Sequence, residues 1–173
     1  MALWSMKTSN NFPKSGESTN GARSLKAVLP RHPFLEGMTP EHLEIMAACA
    51  MQTQFEERQL IFREGDSANR FYLIQEGRVV LETEVKERGI MPIQIIGPGD
   101  VLGWSWLFPP YYWQFDARAL ESTKAVYFYG TRLREYCKQD HDVGYELMKR
   151  MAAVIEKRLQ ATRRQMIRFS ALS

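Results

Sequence analysis

Histidine and cysteine are scarce in this chain, and that scarcity excludes more than any other feature of its composition. Three histidines, His32, His42 and His141, and two cysteines, Cys49 and Cys137, occur among 173 residues. The cysteines stand far apart in sequence and match no metal-ligand spacing, so they read as reduced thiols in a cytoplasmic protein. His141 lies between Asp140 and Asp142, but no further His or Cys cluster completes a ligand set. Capping of a following helix and solvation are the expected roles of that triplet. There is no Ser–His–Asp arrangement, no pair of carboxylates in an apolar setting and no P-loop lysine motif. The chain therefore reads as a non-enzyme with no metal. No apolar run approaches the ~18 residues that a membrane span needs. The N-terminus lacks the apolar core of a secretory signal. Nor does one sign of charge dominate: 23 Lys and Arg face 20 Asp and Glu, for a net charge of +3. A dedicated nucleic-acid binder more often shows a clustered basic face. Neither membrane nor nucleic acid is expected as a direct partner.

What is present is an ordinary globular composition, 45% hydrophobic and 25% charged, at a length that suits one domain with a sizeable core. Residues 1–24 are the exception. They are rich in Ser, Asn, Lys and Gly, and the large apolar residues there are Leu3, Trp4 and Phe12. That composition suits a flexible arm. Trp4 and Phe12 are the side chains through which such an arm would dock on a partner.

From residue 25 the pattern is regular. A short helix is expected before Pro30. A second, over residues 40–50, is announced by Thr39 as N-cap and Pro40 at the first helical position, with Leu43, Met46, Ala47 and Ala50 on one face. Residues 53–128 alternate: Leu60 and Phe62, Phe71 and Leu73, Val79 and Leu81, Ile93 and Ile95. Turns punctuate them at Arg63–Asp66, Gln75–Gly77, Glu87–Gly89 and Gly97–Asp100. Short strands at such spacing predict an all-β sandwich or barrel. A short helix carrying Leu133, Tyr136 and Cys137 follows. From residue 142 onward Val143, Leu147, Met151, Val154, Ile155, Leu159, Thr162, Met166 and Phe169 recur at steps of three and four. This predicts one long amphipathic helix over 142–170. A stripe of that length exceeds what a small barrel covers and suits a parallel homodimer. Leu147, Met151, Val154, Ile155, Leu159 and Met166 are its expected seam.

The element order, short helices, an eight-strand roll, a glycine-bounded cassette and a long C-terminal helix, resembles the cyclic-nucleotide-binding domain. More specifically it resembles the sensor half of the Crp/Fnr regulators. The residues that carry the resemblance are HPFLEGMTPEHLEIM from His32, LIFREGDSANRFYLIQEGRVVL from Leu60 and GPGDVLG from Gly97. It spans about residues 29–166. It implies a mainly β fold, an eight-strand jelly roll over residues 25–141 with flanking helices, followed by a dimerisation helix. In those regulators a helix-turn-helix reader comes next. Here the sequence stops at Ser173, so the expectation is sensing without direct DNA binding.

The cassette departs from the family. The resemblance implies Glu directly after the cassette's Phe–Gly, here Leu102–Gly103, for the ribose 2′-hydroxyl, and Arg nine residues later, for the cyclic phosphate. Here Trp104 follows Gly103, and Trp113 holds the second position at unchanged loop length. Tryptophan cannot make the bidentate phosphate pair of arginine. Each lost charge-assisted hydrogen bond costs about 1.5–3 kcal/mol, so ordinary cyclic AMP or cyclic GMP recognition is not expected. Three readings remain open. Trp104, Trp106 and Trp113 could stack on a flat ligand, with Gly103, Ser105 and Gln114 as backbone and polar anchors and Arg118 as a charge. Arg163 and Arg164 on the long helix would then close the mouth. The aromatics could instead fill the vacated pocket as core, leaving a purely structural interaction protein. They could also form a docking patch. The cassette GWSWLFPPY also resembles bacterial stand-alone accessory proteins, among them the small subunit attached to NAD-reducing hydrogenases. That likeness implies a regulatory subunit with a redox enzyme complex as partner and a nicotinamide dinucleotide as ligand. A degenerate transcription regulator acting through a partner is the remaining alternative.

Overall fold

The computed structural model describes residue 25 and residues 27–170, except for the side chain of Phe169. The expected docking residues Trp4 and Phe12, with the whole 1–24 arm, lie outside the described residues.

Residues 27 and 28 are helical and run into a 3-10 turn at Leu29–Arg31, and Thr39 then opens the helix α1 (Pro40–Ala48). Its Oγ1 accepts the His42 N–H at 3.3 Å, and Pro40 stands where no donor is needed. The strands are β1 (Ala50–Phe55), β2 (Leu60–Phe62), β3 (Arg70–Glu76), β4 (Val79–Val85), β5 (Gly89–Ile96), β6 (Val101–Leu102), β7 (Asp116–Ala119) and β8 (Thr123–Tyr129). Two helices follow, α2 (Gly130–Gln139) and α3 (His141–Ser170). Asp140 starts α3 by accepting the N–H groups of Asp142 and Val143 at 3.0 and 3.2 Å, the capping expected there.

The strands form two four-stranded antiparallel sheets, ordered β1-β8-β3-β6 and β2-β7-β4-β5. This is the eight-strand roll that the family resemblance implies, and the all-β architecture that the strand spacing predicts. The first sheet is covered on both faces, which is why β3 is apolar at consecutive positions from Phe71 to Ile74. Between the sheets pack Phe55, Phe62, Tyr72, Ile74, Leu81, Ile96, Leu102 and Trp113. On the other face Leu29, Phe34, Leu35, Met46, Phe71, Leu73, Trp106 and Phe128 meet Leu133, Val143, Leu147 and Met151 of the last two helices. Phe71 is the centre of that layer. Phe128 and Trp106 stack on it at 4.7 and 5.0 Å, and Phe34 meets it edge-on at 5.7 Å.

Two expectations need correction. Ile93 and Ile95 do not share the inner face. The β4–β5 register shifts at Leu81 and Glu82, which pair with Gln94 and Pro92. One extra residue turns the strand over, leaving Ile93 against the core and Ile95 exposed. Leu147 and Met151 are not on a dimer seam either. Both are fully buried against the chain's own helix-side core. The stripe on α3 is therefore two surfaces in series. Its first half packs inward, and Val154 is half-buried against the same core. Further along, Leu159 and Met166 are exposed.

These placements are testable by denaturant unfolding. Phe71→Ala should lower stability by about 3–5 kcal/mol, the usual cost of deleting a buried aromatic. Ile95→Ser should change it by less than about 0.5 kcal/mol. A large loss from Ile95→Ser would contradict the shifted register.

Candidate functional site

The cassette leaves β6 at Gly103, crosses to the helix side, and returns between the sheets at Trp113. Each leg is held by specific bonds. On the outward leg a 3-10 turn, Ser105–Leu107, buries Trp106 completely against Phe71. The Arg134 guanidinium, from α2, donates to the Trp106 carbonyl and lies 4.3 Å over the Tyr111 ring. On the return leg, Ala68 donates to the Tyr111 carbonyl at 2.7 Å. Trp113 exchanges bonds with the Gly65–Asp66 turn, its N–H to the Asp66 carbonyl and its own carbonyl from the Gly65 N–H, both at 2.9 Å. The Asp116 carboxylate accepts the Glu64 N–H at 2.7 Å and fixes the start of β7.

That path points the Trp113 indole inward. It lies face to face with Phe62, centroids 3.8 Å apart and planes 11° from parallel. Its benzo edge lies directly on the backbone of Gly103: a Cβ there would sit 2.5 Å from Trp113 Cζ3. Gly103 also has φ of +85°, so this position is glycine for two reasons. Trp113 is 3% exposed, and the position where the family resemblance implies a phosphate-binding arginine is filled with indole.

The expected ligand set is therefore not brought together. Trp104 is half-buried on the helix side with Trp106, across the sheet from Trp113. Ser105 is buried on that same side, 3% exposed, and neither its hydroxyl nor the Trp106 indole N–H has a hydrogen-bond partner among the described residues. The Gln114 side chain is exposed and donates to the Tyr112 carbonyl at 3.1 Å. Arg118 alternates outward from Ala117 and Ala119 and pairs with Glu82 on the outer face of its sheet at 2.8 Å, so it brings no charge into the roll. Arg163 and Arg164 are exposed near the far end of α3 and close no mouth. No group of three or more His, Cys, Asp or Glu suited to a metal occurs among the described residues.

Sequence reasoning missed two sets of residues. One is a tyrosine rim on β3 and β8. Arg70 lies 5.0 Å over the Tyr127 ring, and Tyr127 and Tyr129 place their hydroxyls 3.1 Å apart, within 3.1 and 3.3 Å of Met51 Sδ. Burial, then the bond to Tyr129, pushes the Tyr127 phenol up to about 12. The period-two spacing of Tyr127 and Tyr129 was the available signal. The other is the pair that clamps α3 to the roll. Arg150 Nη1 donates to the Phe34 and Glu36 carbonyls at 2.7 and 2.9 Å, and Arg158 Nη2 to the Val101 carbonyl at 2.8 Å. Their eight-residue spacing places both on one helix face.

Comparison with known proteins agrees with this architecture. A structure from Geobacter metallireducens described as a cyclic nucleotide-binding protein is 28% identical, with a TM-score of 0.69 over 80% of this chain and 97% of that one. A cyclic nucleotide-binding domain from Methylobacillus flagellatus, 14% identical, gives 0.71 over 84% of this chain and 82% of its own, a likeness of fold. A curated CRP-like cAMP-activated global transcriptional regulator of Mycobacterium tuberculosis is 22% identical over 135 residues, 78% of this chain. The chain spans 58% of that relative's length. The family model described as the cyclic nucleotide-binding domain matches residues 52–140. With the two-sheet roll, the glycine-bounded cassette and the long closing helix in place, the chain belongs to the cyclic nucleotide-binding domain family.

Proposed function

We propose that this chain is a non-catalytic regulatory or accessory module whose roll does not respond to cyclic AMP or cyclic GMP, and that it acts as a parallel homodimer on a protein partner. One observation carries the reading: the Trp113 indole, stacked on Phe62 and seated on Gly103, fills the space between the sheets. A nucleotide entering there would first have to expel a buried indole, at a cost of about 3–5 kcal/mol of packing. It would then find neither the carboxylate nor the guanidinium that the family resemblance implies. A redox complex is the partner we favour, on the cassette's likeness to hydrogenase accessory subunits. A nicotinamide dinucleotide is the alternative ligand, and it would need the same displacement.

The dimer rests on the second half of α3. Leu159 and Met166 are 64% and 66% exposed, and with Ile155 and Thr162 they alternate at steps of four and three. Such a seam pairs with its own copy. Leu147 and Met151 take no part, being spent inside the chain.

Calorimetry tests the first element. Cyclic AMP and cyclic GMP should show no binding below the high-micromolar range, roughly two to four decades weaker than a site with both charge-assisted contacts. A sub-micromolar dissociation constant would overturn the reading. A double-mutant cycle tests the contact behind it. Gly103→Ala should destabilise wild type strongly, and less so in a Trp113→Leu background, because only the clash is relieved there. Equal costs in both would mean the indole does not sit on that backbone.

Sedimentation tests the dimer. Leu159→Glu should halve the mass of the sedimenting species without lowering the unfolding midpoint of the roll. A mutant that still sediments as a dimer would place the contact elsewhere.

A further inference from the structure

A cleft of about 290 Å³ separates α3 from the turn at Gly97–Asp100 and from the Pro33–Phe34 segment. It lies on the helix side of the first sheet, away from Trp113. Phe34, Val101 and Val154 give it apolar walls. Arg150, Lys157 and Arg158 line it from one helix face, and their charges are compensated unequally. Arg150 is held on three sides and ion-paired: besides its two carbonyl bonds, its Nε donates to Glu146 at 2.7 Å. Lys157 pairs with Asp100 at 2.6 Å on the rim. Arg158 makes one hydrogen bond, to the Val101 carbonyl, and has no ion pair among the described residues. A guanidinium carries five N–H donors. Asp100, the acid nearest to hand, is already engaged by Lys157 and by the Gly97 N–H at 3.0 Å. Burial pulls the Arg158 pKa below its ordinary value, against the opposing pull of the Asp100 charge. A half-buried cation with spare donors on an apolar wall is short of one oxyanion.

We propose that this cleft is a binding site for a small carboxylate with an apolar body, its head group paired with Arg158 and its body packed between Phe34, Val101 and Val154. Glu146 is shared by Lys149 and Arg150, and Asp100 is matched to Lys157, so Arg158 is the lining cation with no carboxylate of its own among the described residues. A carboxylate pairs with Arg158 while adding less repulsion from Asp100, which also lines the cleft, than a phosphate dianion would. The volume lies at the low end of the ~300–1,000 Å³ typical of ligand pockets, which favours a ligand of one ring or a short chain. The site uses no residue of the cassette and does not depend on whether the roll interior admits a nucleotide.

Titration of the full chain with benzoate, followed through the valine methyl resonances by NMR, tests the proposal. Benzoate should shift Val101 and Val154 saturably, and benzamide, the same shape without the charge, should bind at least tenfold more weakly. Arg158→Gln should weaken benzoate at least tenfold. Ala153→Trp, at an exposed helix position on the cleft wall, should abolish the shifts while leaving the unfolding midpoint in place. If Arg158→Gln fails to fold, the benzamide comparison and Ala153→Trp decide. The proposal is overturned if benzoate does not saturate, if benzamide binds equally well, if Ala153→Trp leaves the shifts intact, or if inorganic phosphate binds as tightly as benzoate at the same resonances.

Discussion

The face-to-face stack of Trp113 on Phe62, with the indole edge resting on the Gly103 backbone, constrains everything the cassette can do. A side chain at position 103 would collide with the ring. A ring at position 113 requires the returning strand to enter between the sheets, and the bonds to Gly65, Asp66 and Ala68 hold it there. The outward leg is fixed separately. Trp106 is pressed against Phe71 on the opposite face of the same sheet, and Arg134 grips its carbonyl. The cassette thus supplies one indole to each of the two cores that flank the first sheet. It is a structural staple through the edge of that sheet, and Gly103 serves packing against Trp113 where the family resemblance leads one to expect a ligand.

Charge explains why the two arrangements exclude one another. An arginine between these sheets would face Phe62, Tyr72 and Phe115, and the carboxylate nearest in sequence, Asp116, is turned outward to the Glu64 N–H. An unpaired guanidinium in that setting is strongly unfavourable. A bound phosphate removes the penalty, so a roll built on arginine is completed by its ligand. Indole carries no such debt. A roll built on Trp113 is packed and neutral by itself, and no ligand is required to balance its interior.

The fold was legible because its signals are local and repeated. Thr39 and Pro40 mark a helix start, glycine–acid turns bound the strands, and three- and four-residue steps run along the last helix. What sequence could not show was which partner each apolar residue meets. Leu147, Met151, Leu159 and Met166 form one continuous stripe in sequence, yet the first two lie inside the chain and the last two outside. Periodicity reports a face and is silent about where the neighbouring element ends. The same limit applies to Trp104, Trp106 and Trp113. Spacing placed them in one loop, but the loop crosses the sheet edge, so they reach opposite cores. Arg118 was misplaced for a simpler reason: alternation with Ala117 and Ala119 turns it outward to Glu82. Arg158 went unnoticed because a basic residue on a long helix looks solvated until the opposing turn is in place.

If the roll interior is complete without a ligand, any signal has to enter the protein where its parts are still incompletely matched. Two such places involve α3. Beyond Arg158 the side-chain bonds of the helix are made within the helix itself, Thr162 to the Arg158 carbonyl and Ser170 to the Met166 carbonyl. Its apolar residues there face water. At Arg158 itself a guanidinium joins the helix to the roll through a single carbonyl. Position 158 is thus the last point at which the roll can direct the helix, and the exposed seam begins one residue later. Whatever fixes that joint sets the direction in which the seam is presented. On the proposed reading, control sits at the junction between roll and helix and not in the space between the sheets.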